Sequence, residues 1–218
     1  MPTTPLLTLH LGQIAPFGPE GQTSAIRKHP VPGPVMVTTT GLIGDQQADP
    51  RYHGGPDKAL HHYPFEHYAA WRAECPDRAG QFDAPSAFGE NLSTQGLTEA
   101  NVCLGDVYQI GTAVIQVSQG RQPCWKLNAR FDLPDMIERI RANGRTGWYY
   151  RVVQTGEIEP GDSFERVQRP LPEWPLARLW RVLFHDPIDT AALSELSRLD
   201  LLAESWRARA AKKLAEAG

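Results

Sequence analysis

The chain has 218 residues, of which 41% are hydrophobic and 22% are charged, and its formal net charge is −3. This length and this apolar content suffice to bury one sizeable core together with a small appendage. The low net charge gives no electrostatic reason to expect binding to nucleic acid or to an anionic membrane. No apolar run approaches the roughly 20 residues that span a bilayer. Residues 1–12 have no Lys or Arg before their short apolar stretch, unlike a secretory signal, so we expect a cytoplasmic protein.

Residues 1–168 read as short strands separated by turns, with two helical insertions. The predicted strands, which are rich in β-branched and aromatic residues, are 35–38, 107–110, 113–117, 148–153 and 163–167. Gly111-Thr112 joins two of them in a tight hairpin. The helical insertions are residues 65–71 and 133–142, and the second has Pro134 near its start and Asn143-Gly144 at its end. Together these elements predict a mainly β fold with helices, built as a closed or nearly closed β-barrel.

Residues 169–218 have a different pattern, with apolar residues at helical spacing. The three stripes are Leu176, Leu179, Trp180, Leu183 and Phe184; then Leu193, Leu196 and Leu199; then Leu202, Trp206, Ala210 and Leu214. Asp186-Pro187 ends the first predicted helix, and Asp189 or Thr190 caps the second. Such a small three-helix unit is expected to pack on the barrel or on a second subunit, which would give a homodimer. Its eight Lys or Arg against seven Asp or Glu disfavour a DNA-binding helix-turn-helix module.

The three cysteines are candidates for chemistry, and Cys124 is the strongest of them. An odd, sparse set does not form a disulfide framework, and in a reducing cytosol each is a buried small hydrophobe or a functional thiol. Cys124 lies in a turn-like segment after a predicted strand, where a side chain can reach a pocket. Arg121, Gln122 and Lys126 surround it, and nearby cations favour the thiolate, the form that binds metals. The alternative is a buried, inert cysteine.

The segment around His53 combines glycines with positive charge. Gly54 and Gly55 allow backbone N–H groups to approach an anion, and Lys58 adds a cation, which suits a phosphate group. Four of the seven histidines lie within the fifteen residues 53–67, but their spacing fits no standard zinc pattern. The alternative is a glycine turn followed by a strand and a helix. In that interpretation His67 is a helix-surface residue, and one of the adjacent histidines 61 and 62 is a satisfied core or surface residue.

Two further segments carry polar groups that a ligand could use. Asn91, in the Glu90-Asn91 pair, could orient a ligand through its amide, or the pair could cap a turn. Ser24, Arg27 and Lys28 form a basic cluster near the start of the chain. Such a cluster can anchor a phosphate, and the alternative is a solvated charge run.

Six motifs in one order carry a resemblance that covers nearly the whole chain. They are SAIRK (24–28), GDQQAD (44–49), HGGPDK (53–58), YPFEHY (63–68), FGEN (88–91) and QPCWK (122–126). In this order, and followed by a three-helix tail, they resemble the MOSC family, named for the C-terminal domain of molybdenum cofactor sulfurases, and in particular its YiiM-type bacterial branch. The resemblance implies a MOSC-type β-barrel at residues 1–168 and a C-terminal three-helix domain at residues 169–218.

The resemblance also implies a molybdenum–pterin cofactor and the reduction of N-hydroxylated compounds, including hydroxylaminopurines and hydroxylamines. The metal-binding cysteine of the family corresponds to Cys124, which with His53 forms the expected catalytic pair. Cofactor-binding positions are expected at Ser24, Arg27, Lys28, His53, Gly54, Gly55, Lys58, Asn91, Arg121, Gln122 and Lys126. The chain shows no flavin, haem or iron–sulfur motif. A reductase of this kind therefore needs a separate electron donor, such as a flavoprotein or a small redox protein.

In the expected reaction, two electrons and two protons convert an N–OH group to an amine and water, and a nearby histidine donates a proton. Three alternatives remain open at this point. One is a carrier that binds the cofactor without turnover. Another is a hydrolase or transferase with Cys124 as nucleophile and His53 as base. The last is a non-catalytic scaffold.

Overall fold

The computed structural model describes residues 3–18, 21–185 and 187–217. In this part of the chain the strands are β1 (Thr4–Gly12), β2 (Ala15–Pro16), β3 (Thr23–Ser24), β4 (Lys28–Pro30), β5 (Val35–Thr38), β6 (Gly41–Leu42), β7 (Leu60–His62), β8 (Leu92–Thr94), β9 (Val107–Ile110), β10 (Ala113–Gly120), β11 (Trp148–Gln154), β12 (Gly156–Ile158) and β13 (Ser163–Gln168). The α-helices are α1 (Pro50–His53), α2 (Glu66–Glu74), α3 (Lys126–Phe131), α4 (Met136–Asn143), α5 (Leu176–Phe184), α6 (Thr190–Leu196) and α7 (Glu204–Ala215). Short 3₁₀ segments occupy Pro56–Lys58 and Pro76–Phe82.

Seven strands close into a barrel. Their order is β13, β9, β10, β11, β7, β8 and β1, and β1 pairs back onto β13. Neighbouring strands of the barrel are antiparallel, except that β7 and β8 run parallel where His62 is paired with Leu92. β4 adds to β1 beyond the barrel, and β12, β5 and β6 form a small separate sheet. The predicted mainly β architecture with a closed barrel is therefore confirmed.

Most of the predicted strands are present. The hairpin of β9 and β10 pairs Ile110 with Ala113 across the predicted Gly111-Thr112 turn. The strands predicted at residues 35–38, 148–153 and 163–167 are also present, each within one residue of its predicted end. The structure adds β1, which was not predicted although it is the longest strand described. Residues 1 and 2, at the start of the segment examined for a secretory signal, lie outside the described residues.

The two adjacent histidines of β7 point to opposite sides of the barrel wall, because side chains alternate along a strand. His62 points inward, where one ring nitrogen bonds the hydroxyl of Tyr150 at 3.0 Å and the other bonds the hydroxyl of Thr94 at 2.9 Å. The expectation of one satisfied core histidine is thus confirmed for His62. His61 points outward, as does Tyr149, which is its partner in β11. The outer face of this part of the sheet is covered by loops rather than by solvent.

The predicted helical insertions are α2 and α4, which pack outside the barrel in a second apolar cluster. α2 runs three residues beyond its predicted end, and α4 ends at Gly144, whose φ of 71° allows the left-handed turn that stops the helix. α3 was not predicted. It begins two residues after Cys124, so the cysteine joins a strand to a helix instead of lying at the tip of an open loop.

The C-terminal helices α5, α6 and α7 pack on the barrel. Asp189 caps α6 by accepting the N–H of Ala192 at 2.9 Å, as predicted, whereas Asp186, in the predicted helix-ending pair, lies outside the described residues. The apolar stripe of α5, including Leu179 and Leu183, belongs to the same hydrophobic cluster as the barrel interior. The stripe is therefore buried within this chain. The homodimer and the domain division at residue 168 stay predictions.

Among the described residues, every helix is too short or too polar to cross a lipid bilayer.

Candidate functional site

One end of the barrel presents a row of side chains on its outer face. Gln119 of β10 pairs with Tyr149 of β11, which pairs with His61 of β7. The row continues because the carbonyl of His61 accepts the N–H of Asn91 at 2.8 Å. Directly paired residues on neighbouring strands share a face of the sheet, and the rings of His61 and Tyr149 lie 5.1 Å apart. Pairing across three strands therefore gathers polar groups that are far apart in the sequence.

Loops above this row enclose a cavity with two compartments. The inner compartment, of about 80 Å³, is lined by residues that include Ser24, Lys28, His61, Phe88, Asn91 and Arg121. The outer compartment, of about 690 Å³, is lined by residues that include Asp49, Gln119, Gln122, Trp125, Ser205 and Trp206. Five residues line both compartments: His53, Lys58, Cys124, Lys126 and Tyr149. The inner compartment admits only part of a ligand, whereas the outer has the size of a small-molecule site.

Cys124 differs from the other two cysteines in its access to this cavity. Burial raises the pKa of the Cys75 and Cys103 thiols, which are only 5% and 2% exposed. Cys124 is partly exposed, and it lies where the two compartments meet. The segment that carries it is fixed at one end by the N–H of Arg121, which donates to the carbonyl of Gly147 at 3.0 Å. Cys124 is therefore a thiol that a ligand in the cavity can reach.

Positive charge dominates the lining of the cavity. Lys58, Arg121 and Lys126 line the cavity, and Asp49 is the one acidic residue among the described lining residues. Lys28 also lines the cavity but pairs with the buried carboxylate of Asp45. Burial lowers the pKa of Lys58, which means that its charged form is poorly solvated in the protein alone. An anion bound among these groups would stabilise the charged form of Lys58 in place of water. The electrostatics of the cavity thus favour an anionic ligand.

Asp45 organises the wall of the inner compartment. Its carboxylate bonds Lys28 Nζ at 2.5 and 2.6 Å, the backbone N–H of Gly12 at 2.6 Å and Asn91 Nδ2 at 2.9 Å. Burial lowers the pKa of Lys28, and the Asp45 carboxylate opposes this shift. Asp45 belongs to a motif that we identified in the sequence, but its individual role was not predicted.

Asn91 lies in the wall with its amide fully engaged by the protein. Nδ2 donates to the carbonyl of His10 at 3.1 Å as well as to Asp45, and Oδ1 accepts the N–H of His61 at 3.1 Å. The neighbouring Glu90 carboxylate accepts the backbone N–H groups of Ser86 and Phe88 and closes a turn. Of the two interpretations of the Glu90-Asn91 pair, the geometry favours the one in which it stabilises the local backbone.

The histidines of the cavity are neutral at pH 7. Burial, together with Lys126 and Arg121, lowers the pKa of His53 to about 4. Burial lowers the pKa of His61 well below its usual range, and one nitrogen of that ring bonds the carbonyl of Gly89. The other nitrogen, Nε2, is buried and has no hydrogen-bond partner among the residues that the structure describes. It is therefore a group that a ligand can satisfy.

Three residues of the predicted cofactor-binding set line neither compartment. Arg27 is exposed, with its guanidinium 5.9 Å from the ring centre of Phe17, whereas the adjacent Lys28 points into the protein. Gly54 lies in the turn after α1, and its N–H donates to the carbonyl of Pro50 at 3.1 Å. The N–H of Gly54 is thus already used, and Gly55 also lies outside the lining. The structure does not bring these residues to the cavity.

His67 is also away from the cavity. It lies on α2 and, instead of facing solvent as predicted, its Nε2 bonds the carboxylate of Glu99 at 2.7 Å. The same carboxylate accepts the N–H of Gly147 at 2.7 Å, so the pair ties α2 to the start of β11. His67 therefore supports the fold rather than the candidate site.

The fold and the site together define a class of protein. In this class a closed barrel carries a cation-lined cavity with an accessible thiol, and a small helical unit packs against the barrel. The chain belongs to the MOSC domain family, whose model matches residues 49–165. A second family model, described as the YiiM-like 3-alpha helix domain, matches residues 174–217.

Individual relatives agree with this assignment. The chain is 44% identical over 198 residues to Protein YiiM of Escherichia coli (strain K12), covering 91% of this chain and 87% of that protein. It is 39% identical over 198 residues to a protein named Reductase of Gibberella moniliformis, covering 90% of this chain but 35% of that protein. The crystal structure of YiiM from Geobacillus stearothermophilus superposes with a TM-score of 0.81 at 36% identity, covering 97% of this chain and 99% of that one.

Proposed function

We propose that this protein is a molybdenum-cofactor-dependent reductase of N-hydroxylated compounds, in which Cys124 binds the metal. The observation that carries the proposal is the reachable thiol of Cys124 at the point where a cation-lined inner compartment opens into a larger one. The MOSC family is associated with binding of the molybdenum cofactor. The relative named Reductase supports an oxidoreductase function.

The residues of the cavity fit a phosphorylated cofactor that carries a metal. Lys58, Arg121 and Lys126 all line the cavity, so a phosphate group placed among them would receive charge-assisted hydrogen bonds from several cations. The thiol of Cys124 supplies a soft ligand. The unpartnered Nε2 of His61 can accept a hydrogen bond from an N–H of the ligand.

When bound, the cofactor supplies a two-electron redox centre. The chain contributes the thiolate of Cys124 as ligand and the cations that hold the phosphate. Burial raises the pKa of Tyr149, so its hydroxyl stays protonated and can donate a hydrogen bond in the cavity. The loops that cover the outer face of β7 and β11 limit the access of water, which strengthens these electrostatic interactions.

The proposed reaction converts R–NHOH, two electrons and two protons to R–NH₂ and water. We assign His53 to proton delivery because it lines both compartments. Its pKa of about 4 makes it neutral in the protein alone, and an anionic ligand beside it would raise this pKa by favouring the imidazolium. His53 thus becomes a competent acid only when the cavity holds an anion.

The electrons come from a separate donor, for which we propose a flavoprotein or a small redox protein in the cytoplasm. In the Gibberella moniliformis reductase the region similar to this chain covers 35% of the protein. The equivalent unit is therefore joined there to a longer polypeptide, which supports a second component for the activity.

The test compares Cys124→Ala with Cys103→Ala, a matched control at a buried cysteine remote from the cavity. Both variants and the wild type are purified from a host that makes the molybdenum cofactor. Molybdenum content is measured by elemental analysis, and reduction of phenylhydroxylamine is measured with a chemically reduced dye. We expect equimolar metal and turnover in the wild type and in Cys103→Ala, and loss of both in Cys124→Ala.

The same experiment separates the alternatives. Metal-loaded wild type that reduces no N-hydroxylated compound with any donor would identify a carrier. Activity that persists without molybdenum and is blocked by alkylation would identify a Cys–His hydrolase or transferase. A base with a pKa of about 4, as at His53, is weak for deprotonating a thiol, which disfavours that alternative. Metal-free wild type from a cofactor-producing host would contradict the proposal altogether.

A further inference from the structure

The outer compartment contains a polar group that the proposed cofactor site does not use. Gln119 is only 2% exposed, and its Nε2 donates to the carbonyl of Gly120 at 3.1 Å. Its Oε1 is buried without a hydrogen-bond partner in the described part of the chain. A buried carbonyl oxygen of this kind is costly to leave unpaired, so it needs an explanation. Because Gln119 lines the outer compartment, a ligand there can supply the missing donor.

The helical unit forms the wall of the outer compartment beside Gln119. Ser205 and Trp206, in the first turn of α7, both line it. This turn is bound to the end of β10, because the N–H of Ala203 donates to the carbonyl of Ser118 at 3.0 Å. The indole of Trp206 lies against Gly120, where an added Cβ would come within 2.8 Å of the ring. The helical unit is thus fixed at the strand end from which the Cys124 segment leaves.

The composition of this wall indicates the kind of ligand that it fits. Gln119 is paired in register with Tyr149, so the two side chains project from the same face of the sheet, and both line the outer compartment. Trp206 is 3% exposed and held among Trp180 and Phe184, which makes it a rigid aromatic surface. Aromatic surfaces with one buried acceptor favour a planar ligand that presents an N–H to the acceptor.

We propose that the three-helix unit is part of the substrate site and that Gln119 is a specificity-determining residue. Gln119 selects N-hydroxylated aromatic compounds that carry a second nitrogen with an N–H, which its Oε1 accepts. Ser205 and Trp206 close the compartment around the substrate. This inference rests on the proposed function and adds to it the chemistry of substrate selection.

The first test measures equilibrium binding of two ligands of similar size to the metal-loaded protein by titration calorimetry. Benzamidoxime carries an additional NH₂ group, and phenylhydroxylamine does not. Gln119→Met removes the acceptor at similar volume, whereas Gln119→Glu retains an acceptor. We expect Gln119→Met to raise the Kd of benzamidoxime roughly tenfold, the effect of one lost hydrogen bond, with little change for phenylhydroxylamine. Gln119→Glu should keep the preference for benzamidoxime.

Gln109→Met is the matched control for this test. Gln109 lies in the neighbouring strand β9, lines neither compartment and bonds the carbonyl of Gly111 at the hairpin turn. We expect it to leave both dissociation constants unchanged. Equal effects of Gln119→Met on the two ligands, or no effect on either, would overturn the assignment of Gln119.

A second variant tests whether α7 forms part of the substrate site, and it changes no residue of the hydrophobic core. Ser205 is exposed, so Ser205→Trp can be accommodated, and its ring would occupy the outer compartment. We expect at least tenfold weaker binding of both ligands with unchanged molybdenum content. Ala211→Trp, at an exposed position further along α7, is the control and should bind like the wild type. Unaltered binding in Ser205→Trp would overturn the placement of the substrate beside the helical unit.

These measurements are independent of turnover, which separates this inference from the proposed function. A wild type that binds benzamidoxime preferentially through Gln119 but does not reduce it would contradict the proposed reductase and leave the inference intact. A metal-loaded wild type that reduces both compounds but binds them equally well, with no effect of Gln119→Met on either dissociation constant, would overturn the inference and leave the reductase intact.

Discussion

His61 and His62 are neighbours in the sequence but belong to two different environments. His62 lies inside the barrel, and both of its ring nitrogens bond side-chain hydroxyls. His61 lies on the outer face, is almost as deeply buried, and has one nitrogen without a partner among the described residues. Equal burial therefore does not imply equal function. The difference is whether the protein itself satisfies the polar group.

The same contrast holds for other groups of the barrel and the cavity. Cys103 is buried, which raises the pKa of its thiol, whereas Cys124 is reachable from both compartments. Lys28 is paired with Asp45, whereas Arg121 and Lys126 line a cavity in which Asp49 is the one acidic residue that the structure describes. The hydrogen bonds and ion pairs of the stabilising groups are formed within the chain, whereas the proposed function requires a ligand to complete those of the site.

The largest effect is expected from His62→Leu, because it leaves Tyr150 and Thr94 without the nitrogen partners that they use inside the barrel. We expect the free energy of unfolding to fall by roughly 2–4 kcal/mol. His61→Leu is the matched variant on the outer face and should cost less, about 1 kcal/mol, because it removes one bond, to the carbonyl of Gly89, together with a nitrogen that has no partner among the described residues. Urea denaturation measures both. Equal losses for the two variants would contradict the division between core and site.

The next largest effect is expected in the dependence of the free energy of unfolding on pH. Burial lowers the pKa of His62 to about 3, whereas an unfolded histidine titrates near its usual value of 6.5. Below that value the unfolded chain takes up a proton that the folded barrel refuses, so the free energy of unfolding falls as pH falls. For one such histidine the loss is about 2 kcal/mol between pH 7 and pH 5.

Urea denaturation at pH 7, 6 and 5 tests this prediction in the wild type and in His62→Leu. The variant has no imidazole to protonate at this position, so its free energy of unfolding should depend less steeply on pH. An equal slope in both proteins would show that His62 is not the titrating group.

The sequence predicted the elements whose pattern is local. The hairpin of β9 and β10 has alternating apolar residues on both sides of Gly111, and Asp189 has a side chain that caps a helix. β1 was not predicted because its two faces are similarly apolar. The run Leu6-Leu7, for example, breaks the alternation of apolar and polar residues that marks a strand with one buried face. α3 was not predicted because it is only six residues long and begins three residues after Pro123, close to the Cys124 segment.

The charged residues and the cysteine of the site could be predicted from the sequence. The residues that strand pairing brings into the site could not. Cys124, Lys58 and Arg121 stand out by residue type, and all three line the cavity. Gln119 and Tyr149 have no motif of their own. Only the register of β10 and β11, and the contact of α7 with the end of β10, bring Gln119 and Tyr149 together with Trp206. A register set by tertiary packing is not contained in a local pattern.

The smallest effect is expected at the cavity mouth, where Lys126 is partly exposed. We expect Lys126→Gln to raise the Kd of inorganic phosphate about fivefold at low salt, because a partly screened charge contributes on the order of 1 kcal/mol. The free energy of unfolding should stay unchanged, since Lys126 forms no ion pair with a carboxylate among the residues that the structure describes. Calorimetric titration of the cofactor-free protein measures the affinity.

Lys212→Gln, at an exposed position of α7, is the control for charge alone. If both variants weaken phosphate binding equally, the attraction arises from the overall charge of the protein and not from the cavity. If Lys126→Gln acts alone and its effect shrinks as salt increases, the cation belongs to a local anion site that solvent still reaches. Lys126 would then be a cation at the mouth of the cavity that contributes to ligand binding and contributes almost nothing to the stability of the fold.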